Sequence, residues 1–339
     1  MTAIAIVGEA WGAEEAKRQT PFVGYSGSLL THMLADAGID RSQCLLTNVF
    51  NLHPPGNDME ALCGPKSSGI TGYPGIKYRD TITYIREEFA PELDRLADQI
   101  ISADPNIVIA LGNTAMWAML GRTAITKYRG VVDLSTHTAS GFKVLPTYHP
   151  AAVTRQMSLR PTVVLDLAKA LRESEFPDLR RPKREVWIEP TIEDLHAFSR
   201  EYINGFVSID IETIGSQITC VGFAPSPSLA LVVPFHDSRR KGRSYWPDAK
   251  AERAAWKFVD DICRDPKIKK VFQNGMYDVA FLYRAMRIKC FGVEHDTMLL
   301  HHALQPEALK SLGYLGSIYT DEGAWKTMRE RVTTIKRDE

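Results

Sequence analysis

The sequence predicts two consecutive α/β domains, and three observations carry that prediction. Short apolar runs alternate with stretches of helical apolar spacing through both halves of the chain. A charged, proline-bearing segment poor in apolar residues, RESEFPDLRRPKRE at residues 172–185, interrupts the alternation near the middle. The length of 339 residues accommodates about two domains of ordinary size. The expected boundaries are a first domain at 1–171, a charged linker at 172–184 and a second domain at 185–339.

In the first half, the apolar run 3–7 closes on Gly8, a strand followed by a loop. Residues 27–37 have helical spacing and stop at Gly38, and 43–49 read as a second strand. Residues 51–78 are rich in Gly and Pro without a period and are expected to form a long loop. A helix at 89–102, a buried strand at 106–111, a helix at 114–120, a strand at 142–146 and a helix at 162–173 complete a three-layer pattern around a mainly parallel sheet. In the second half, a strand at 185–188, a helix at 192–202 and a strand at 205–211 lead into a hairpin pair at 218–223 and 229–235. A helix at 252–264, a strand at 268–272 and helices at 277–286 and 297–304 follow, with no internal repeat.

Lys and Arg number 41 and Asp and Glu 41, so the formal charge is zero, and 44% hydrophobic with 24% charged residues is ordinary globular composition. That excludes a disordered chain and a basic protein that coats DNA through its overall field. Nucleic-acid binding must therefore come from local patches. The five cysteines, Cys44, Cys63, Cys220, Cys263 and Cys290, form no CxxC pair and read as the reduced thiols of an intracellular, cytoplasmic protein. The first basic residue is Lys17, too late for a secretory leader, and no apolar stretch is long enough to span a bilayer.

Three motifs stand at strand ends in the first half: residues 8–12 (GEAWG), Thr47-Asn48 and Tyr148-His149-Pro150. In a parallel α/β sheet, ligands gather beyond the carboxyl ends of the strands, so Glu9, Asn48 and His149 can converge there. A carboxylate can orient water or offset a cation. An amide can read a base edge, and a histidine can donate to a developing oxyanion. Together they suit glycosidic cleavage at a flipped nucleobase. Taken singly, each also has a plain structural reading, as a cap, a turn former or a loop dipeptide.

The ordered series GEAWGAEE (8–15), PFVGYSG (21–27), LLTNVFNLHPPGND (45–58), IALGNTA (109–115), Arg129-Gly130 and LPTYHPAAVTRQ (145–156) resembles the uracil-DNA glycosylase superfamily, in particular family 4, the bacterial and archaeal type. The resemblance covers nearly all of residues 1–171. It implies that Glu9 positions water and offsets oxocarbenium charge, that Phe22 stacks on uracil, and that Asn48 reads its polar edge. His149 would stabilise the departing uracil anion, with Ala10 and Glu15 among the uracil-binding residues. The segment through Pro150, Ala151, Val153 and Arg155 would press on the minor groove. Two departures stand out. Trp11 takes the place of the family's proline, where it can narrow the pocket mouth or stack on DNA. The four cysteines that hold an iron–sulfur cluster in family 4 are missing; the third and fourth would fall near Leu52 and Phe89. No cluster is expected, and the insert 62–84 is expected to fill the gap.

In the second half, SIDIET at 208–213 puts Asp210 and Glu212 on one face of a strand. Asn274 and Asp278, four residues apart, are expected to share a helix face. Such oxygen donors suit Mg²⁺ or Mn²⁺. VSIDIET and VFQNGMYD, followed by HDTML (295–299) and KSLG (310–313), resemble the 3′–5′ exonuclease domain of family A DNA polymerases, with an RNase H-like (DnaQ-like) α/β fold. The resemblance implies metal ligands Asp210, Glu212 and Asp278. A fourth carboxylate belongs to a third motif that the chain is expected to end before. Asp296 reads as the cap of the helix that follows it. A basic loop with Arg239, Arg240, Lys241 and Arg243 beside Tyr245 and Trp246 can guide single-stranded DNA, or is a solvated hairpin loop.

The expected function is uracil excision from single- or double-stranded DNA, fused to a partial proofreading exonuclease of a phage replication and repair polymerase. The glycosylase domain is expected to need no cofactor. Partners are expected to be DNA and a polymerase domain or subunit, with no membrane. Two further readings are a non-catalytic uracil- or DNA-sensing module of a phage polymerase, and a metal-dependent 3′–5′ exonuclease.

Overall fold

A computed structural model of the chain describes residues 3–78, 81–240 and 242–323. The chain divides into two compact units, Met1–Arg181 joined by Gly313–Glu339, and Pro182–Leu312. The first break, between Arg181 and Pro182, lies within the segment 172–184 that the sequence suggested as a linker. The segment from Gly313 belongs with the first unit, where 185–339 had been expected to form one domain.

The first unit comprises β1 (Ile4–Ala10), α1 (Ala13–Arg18), α2 (Tyr25–Asp36), β2 (Leu45–Phe50), β3 (Cys63–Gly64), β4 (Ile76–Tyr78), β5 (Thr81–Ile85) and α3 (Ala90–Ala103). Then come β6 (Ile107–Leu111), α4 (Gly112–Leu120), α5 (Ile125–Tyr128), β7 (Asp133–Leu134), β8 (Lys143–Thr147), α6 (Pro150–Arg155) and α7 (Arg160–Glu173). The main sheet has the order β2-β1-β6-β8-β7, all parallel except the short edge strand β7. Along β1, Ile4 and Ile6 enter one core cluster while Ala5 and Val7 enter another. This period of two on a strand apolar throughout is what a sheet covered on both faces requires. Leu30, Met33 and Leu34 of α2 and Val163, Leu167 and Ala170 of α7 cover one face; Leu93, Leu96 and Ile100 of α3 and Met116 and Trp117 of α4 cover the other. The three-layer expectation stands.

Residues 51–78 are not a plain loop. Short 3₁₀ turns lead into a small antiparallel sheet, β3-β5-β4. Its apolar residues Met59, Leu62, Ile70, Ile76 and Ile85 join the core beside α4. Trp117 Nε1 donates to Pro74 O at 2.7 Å, which ties the insert to that helix. These residues plug in one at a time between Gly and Pro turns, so no period betrays them.

The second unit runs β9 (Glu185–Trp187), α8 (Ile192–Tyr202), β10 (Phe206–Ile214), β11 (Gln217–Ser226), β12 (Leu229–Pro234), α9 (Ala249–Arg264), β13 (Lys269–Phe272), α10 (Met276–Met286), β14 (Val293–Asp296) and α11 (Thr297–Leu304). Its sheet order is β14-β13-β10-β11-β12-β9, with β10-β11-β12 antiparallel and the remaining pairs parallel. Val207, Ile209 and Ile211 alternate into its core. Thr191 opens α8 with a reciprocal capping box to Asp194, and Asp248 caps α9.

The last helix among the described residues, α12 (Leu312–Tyr319), buries Tyr314, Leu315 and Ser317. Tyr314 Oη lies 2.8 Å from Thr162 Oγ1 on α7. Arg129 Nη1 donates to Ser317 Oγ at 3.0 Å, and Lys169 Nζ donates to Thr320 O at 2.7 Å. Among the described residues, no helix is long and apolar enough to cross a membrane.

Candidate functional site

The carboxyl ends of β1, β2, β6 and β8 open onto a cavity of about 490 Å³, lined among others by Glu9, Phe22, Asn48, Tyr78, His149 and Arg155. Strand register builds it: Gly8 pairs with Asn48 across β1 and β2, while His149 follows the end of β8.

Glu9 is held at Oε2 by the Thr114 hydroxyl at 2.5 Å. Burial raises its pKa, a rise opposed by that hydrogen bond and by Arg155 and aided by Asp58. Asn48 is only 2% exposed. Arg95 fixes its backbone by donating from Nη2 to Asn48 O at 2.8 Å and to Val49 O at 2.9 Å. Gly8 is obligatory beside it. A Cβ there would lie 2.1 Å from Asn48 Oδ1 and 2.6 Å from Phe22 Cζ, so the amide and the aromatic ring occupy the space a side chain would need.

Phe22 is buried with φ of 57°, a left-handed conformation costly for a bulky residue. Arg41 holds it there, donating to Phe22 O at 2.8 Å and to Gly27 O at 3.0 Å. His149 is the N-cap of α6, and its Nδ1 accepts the Ala151 N–H at 3.1 Å. The proton of the neutral ring therefore sits on Nε2, leaving Nε2–H as its donor. Burial, and then the Arg155 charge, push its pKa down to about 4, so the ring is neutral at pH 7.

Ala10, Glu15, Ala151 and Arg155 also line the cavity. Glu15 Oε1 accepts Gly24 N–H at 3.2 Å, linking α1 to the turn that carries Phe22. Trp11 lines the cavity too, its indole N–H buried without a partner. One reading needs correction: Pro150 and Val153 are buried inside α6, so neither is a surface loop residue able to press on DNA. Pro150 is the first helical residue behind the His149 cap, a place where its missing N–H costs nothing. Sequence reasoning missed the supporting side chains Thr114, Tyr78, Arg41 and Arg95. Thr114 lies in the IALGNTA motif, which could have pointed to it, but the others carry no local signal.

The residues do not fit an iron–sulfur cluster. Leu52 and Phe89 pack against the apolar core, and Phe89 meets Phe50 edge to face at 6.3 Å. In the first unit, Cys44 Sγ donates to Asp40 O and Cys63 Sγ to Met59 O. Burial raises the pKa of both thiols, that of Cys44 to about 11, away from the thiolate such a cluster needs.

In the second unit, Asp210 and Glu212 do share the open face of β10. Burial, and then the neighbouring Glu212 charge, raise the Asp210 pKa. Asp278 is buried on α10 and accepts the Ile211 N–H at 3.0 Å. Its pKa is pushed up to about 6, first by burial and then by Asp210. Among the described residues, no three His, Cys, Asp or Glu side chains gather closely enough to hold a metal ion. The expected trio is thus chemically suited to a cation but is not assembled around one point. Asn274 sits before α10 with φ of 60°, not on a helix face with Asp278. Asp296 accepts four backbone N–H groups, of Asn274, Gly275, Met298 and Leu299, and acts as a structural cap. Of the acids after Tyr319, Asp321 and Glu322 are described, and Glu330, Asp338 and Glu339 lie outside the described residues.

The basic loop is less basic than its sequence. Asp237 pairs with both Arg239 and Arg240, and Arg239 also reaches Glu189 at 3.0 Å. Arg240 lies over the Tyr245 ring, and Trp246 is buried. Arg243 lines a separate cavity with Phe235 and Trp256, whose rings stack at 3.6 Å. Lys241 lies outside the described residues.

A model of the uracil DNA glycosylase superfamily matches residues 1–172, and a 3′–5′ exonuclease model matches residues 187–328. The chain is 33% identical over 174 residues to a type-4 uracil-DNA glycosylase of Thermotoga maritima, covering 50% of this chain and 76% of that protein. It is 22% identical over 319 residues to a DNA polymerase of Bacillus phage SP01, covering 85% of this chain but only 31% of the polymerase. Among solved structures, Brucella melitensis NrnC is similar at 18% identity and a TM-score of 0.30, covering 42% of this chain and 63% of that one.

Proposed function

This chain belongs to the uracil-DNA glycosylase superfamily, and from that membership we propose that its first unit removes uracil from DNA by hydrolysing the N-glycosidic bond. The observation that carries the proposal is the convergence of Glu9, Phe22, Asn48 and His149 on one cavity. A flipped uracil stacks on Phe22 and pairs its polar edge with the Asn48 amide. As the bond breaks, charge grows on the uracil oxygen, and His149 donates to it from Nε2 as a neutral imidazole. The Glu9 carboxylate faces the opposite charge, the oxocarbenium sugar, and orients the attacking water. Arg155, exposed on α6 at the cavity rim, meets the phosphate backbone.

A uracil-containing oligonucleotide should acquire alkali-labile abasic sites with the wild-type chain, and a thymine-containing one should not. Asn48→Ala should lose most of that product. Equal product from Asn48→Ala would sink the pocket assignment. Because Glu9 and His149 are held by Thr114 and the Ala151 N–H, and burial disfavours the thiolates of Cys44 and Cys63, uracil release should survive exhaustive EDTA treatment unchanged. A loss restored by a divalent metal or by iron would refute this.

The second unit is an RNase H-like exonuclease-type domain. We infer that it serves a phage polymerase as a DNA-holding module, with Mg²⁺ or Mn²⁺ at Asp210 and Glu212 if a further ligand completes the site. No cleavage step is assigned to it. The sensing alternative rests on Trp11 at the cavity wall, and tight binding of uracil-DNA without an abasic product would favour it.

A further inference from the structure

We propose that Tyr78, carried by the β3-β5-β4 insert, is a positioning residue that holds the Glu9 carboxylate through the Thr114 hydroxyl. Its meaning for catalysis rests on the glycosylase reading of the first unit; the hydrogen-bond relay itself does not. Thr114 Oγ1 lies 2.5 Å from Glu9 Oε2 and 3.2 Å from Tyr78 Oη. An ionised carboxylate only accepts, so Thr114 gives its single proton to Glu9. The Thr114 oxygen is then left as an acceptor toward Tyr78, and the phenol donates to it. The relay runs one way, from Tyr78 to Thr114 to Glu9.

Burial, and then the Glu9 charge, keep the Tyr78 phenol protonated and able to donate. Thr114 is fully buried on α4, so water does not substitute for it. Chained hydroxyls of this kind strengthen the bond to the final acceptor. The other charged groups acting on Glu9 are Arg155 from α6, which favours its ionised form, and Asp58 from the turn before β3, which opposes it. Cys63 of β3 and Asp58 act on Tyr78, while Lys77 of β4 and His149 also line the cavity. Arg155 is exposed and screened by solvent. The Thr114 hydrogen bond is therefore the larger of the two effects that oppose the desolvation of Glu9. The insert thus has a role beyond packing on the core, delivering a hydroxyl toward the Glu9 carboxylate.

The test is the titration midpoint of Glu9, followed by carboxyl-carbon NMR in the DNA-free protein, beside the pH profile of single-turnover uracil release. Losing a donor raises a carboxyl pKa, so Tyr78→Phe should move the midpoint up by about half a unit to one unit. The acid limb of activity should move up with it. Thr114→Val should move it further, and Thr114→Ser, which keeps the hydroxyl, should leave it near wild type. A folded Tyr78→Phe variant with an unchanged Glu9 midpoint overturns the relay. A midpoint shifted in Tyr78→Phe, together with a wild-type protein that releases no uracil, supports the relay and overturns the glycosylase reading instead.

Discussion

Replacing His149 with alanine is expected to lower uracil release by about 10²–10³-fold at neutral pH, the usual effect of removing one preorganised donor to a developing oxyanion. The loss should fall on the chemical step and leave affinity for uracil-DNA largely intact, because the bond forms fully only as charge reaches the base. The geometry also fixes a pH signature. With its pKa at about 4, His149 stays neutral across pH 6–8 and adds no inflection there. The acid limb belongs to Glu9, whose pKa burial raises. Stability carries a matching sign. A histidine of unfolded pKa near 6.5 and folded pKa near 4 takes up its proton first in the unfolded chain. Its contribution is present above pH 6.5 and is lost as pH falls from 6.5 toward 4. His149→Ala should flatten that part of the stability–pH curve. A variant within twofold of wild type in single turnover would remove His149 from the chemistry.

Asp166→Ala is expected to cost about 3–5 kcal/mol and to lower Tm by about 10 °C, through a side chain outside the cavity. Asp166 is 1% exposed, and it accepts from Arg129 Nε at 2.9 Å, from Arg129 Nη2 and from Thr147 Oγ1 at 2.6 Å. Removing it strands a guanidinium only 3% exposed. Residues 313–320 complete the same network: Ser317 Oγ accepts from Arg129, and Ser317 O and Thr320 O accept from Lys169. Ending the chain before Gly313 should therefore destabilise the first unit as well, and calorimetry on both variants gives the comparison. If both melt within 2 °C of wild type, the network is not a stability determinant.

The parts of this molecule legible in its sequence share one property: their signals are local. Glu9, Asn48 and His149 each follow or sit in a short apolar strand, and parallel topology does the rest. The two-residue period of SIDIET placed Asp210 and Glu212 together on an open face. What escaped depends on distant partners. Arg41 reaching the Phe22 carbonyl and Tyr78 reaching Thr114 leave no periodic trace. Pro150 was readable in principle, since proline directly behind a capping side chain marks a helix start, but the His-Pro pair suggested a loop. The pairing within the basic loop was not legible either, because Asp237 at its base reaches Arg239 and Arg240 only once the loop is folded.

The return of residues 313–320 to the first unit has a consequence for synthesis. The first unit is discontinuous in sequence, with the second unit threaded between its two segments. Arg129 and Lys169 leave the ribosome long before Ser317 and Thr320, their last acceptors. About 130 residues separate Arg181 from Gly313. At roughly 5–20 residues per second, that leaves the nascent first unit waiting on the order of ten seconds with two interior cations incompletely satisfied. Its final locking step is thus timed by translation of the domain inserted within it.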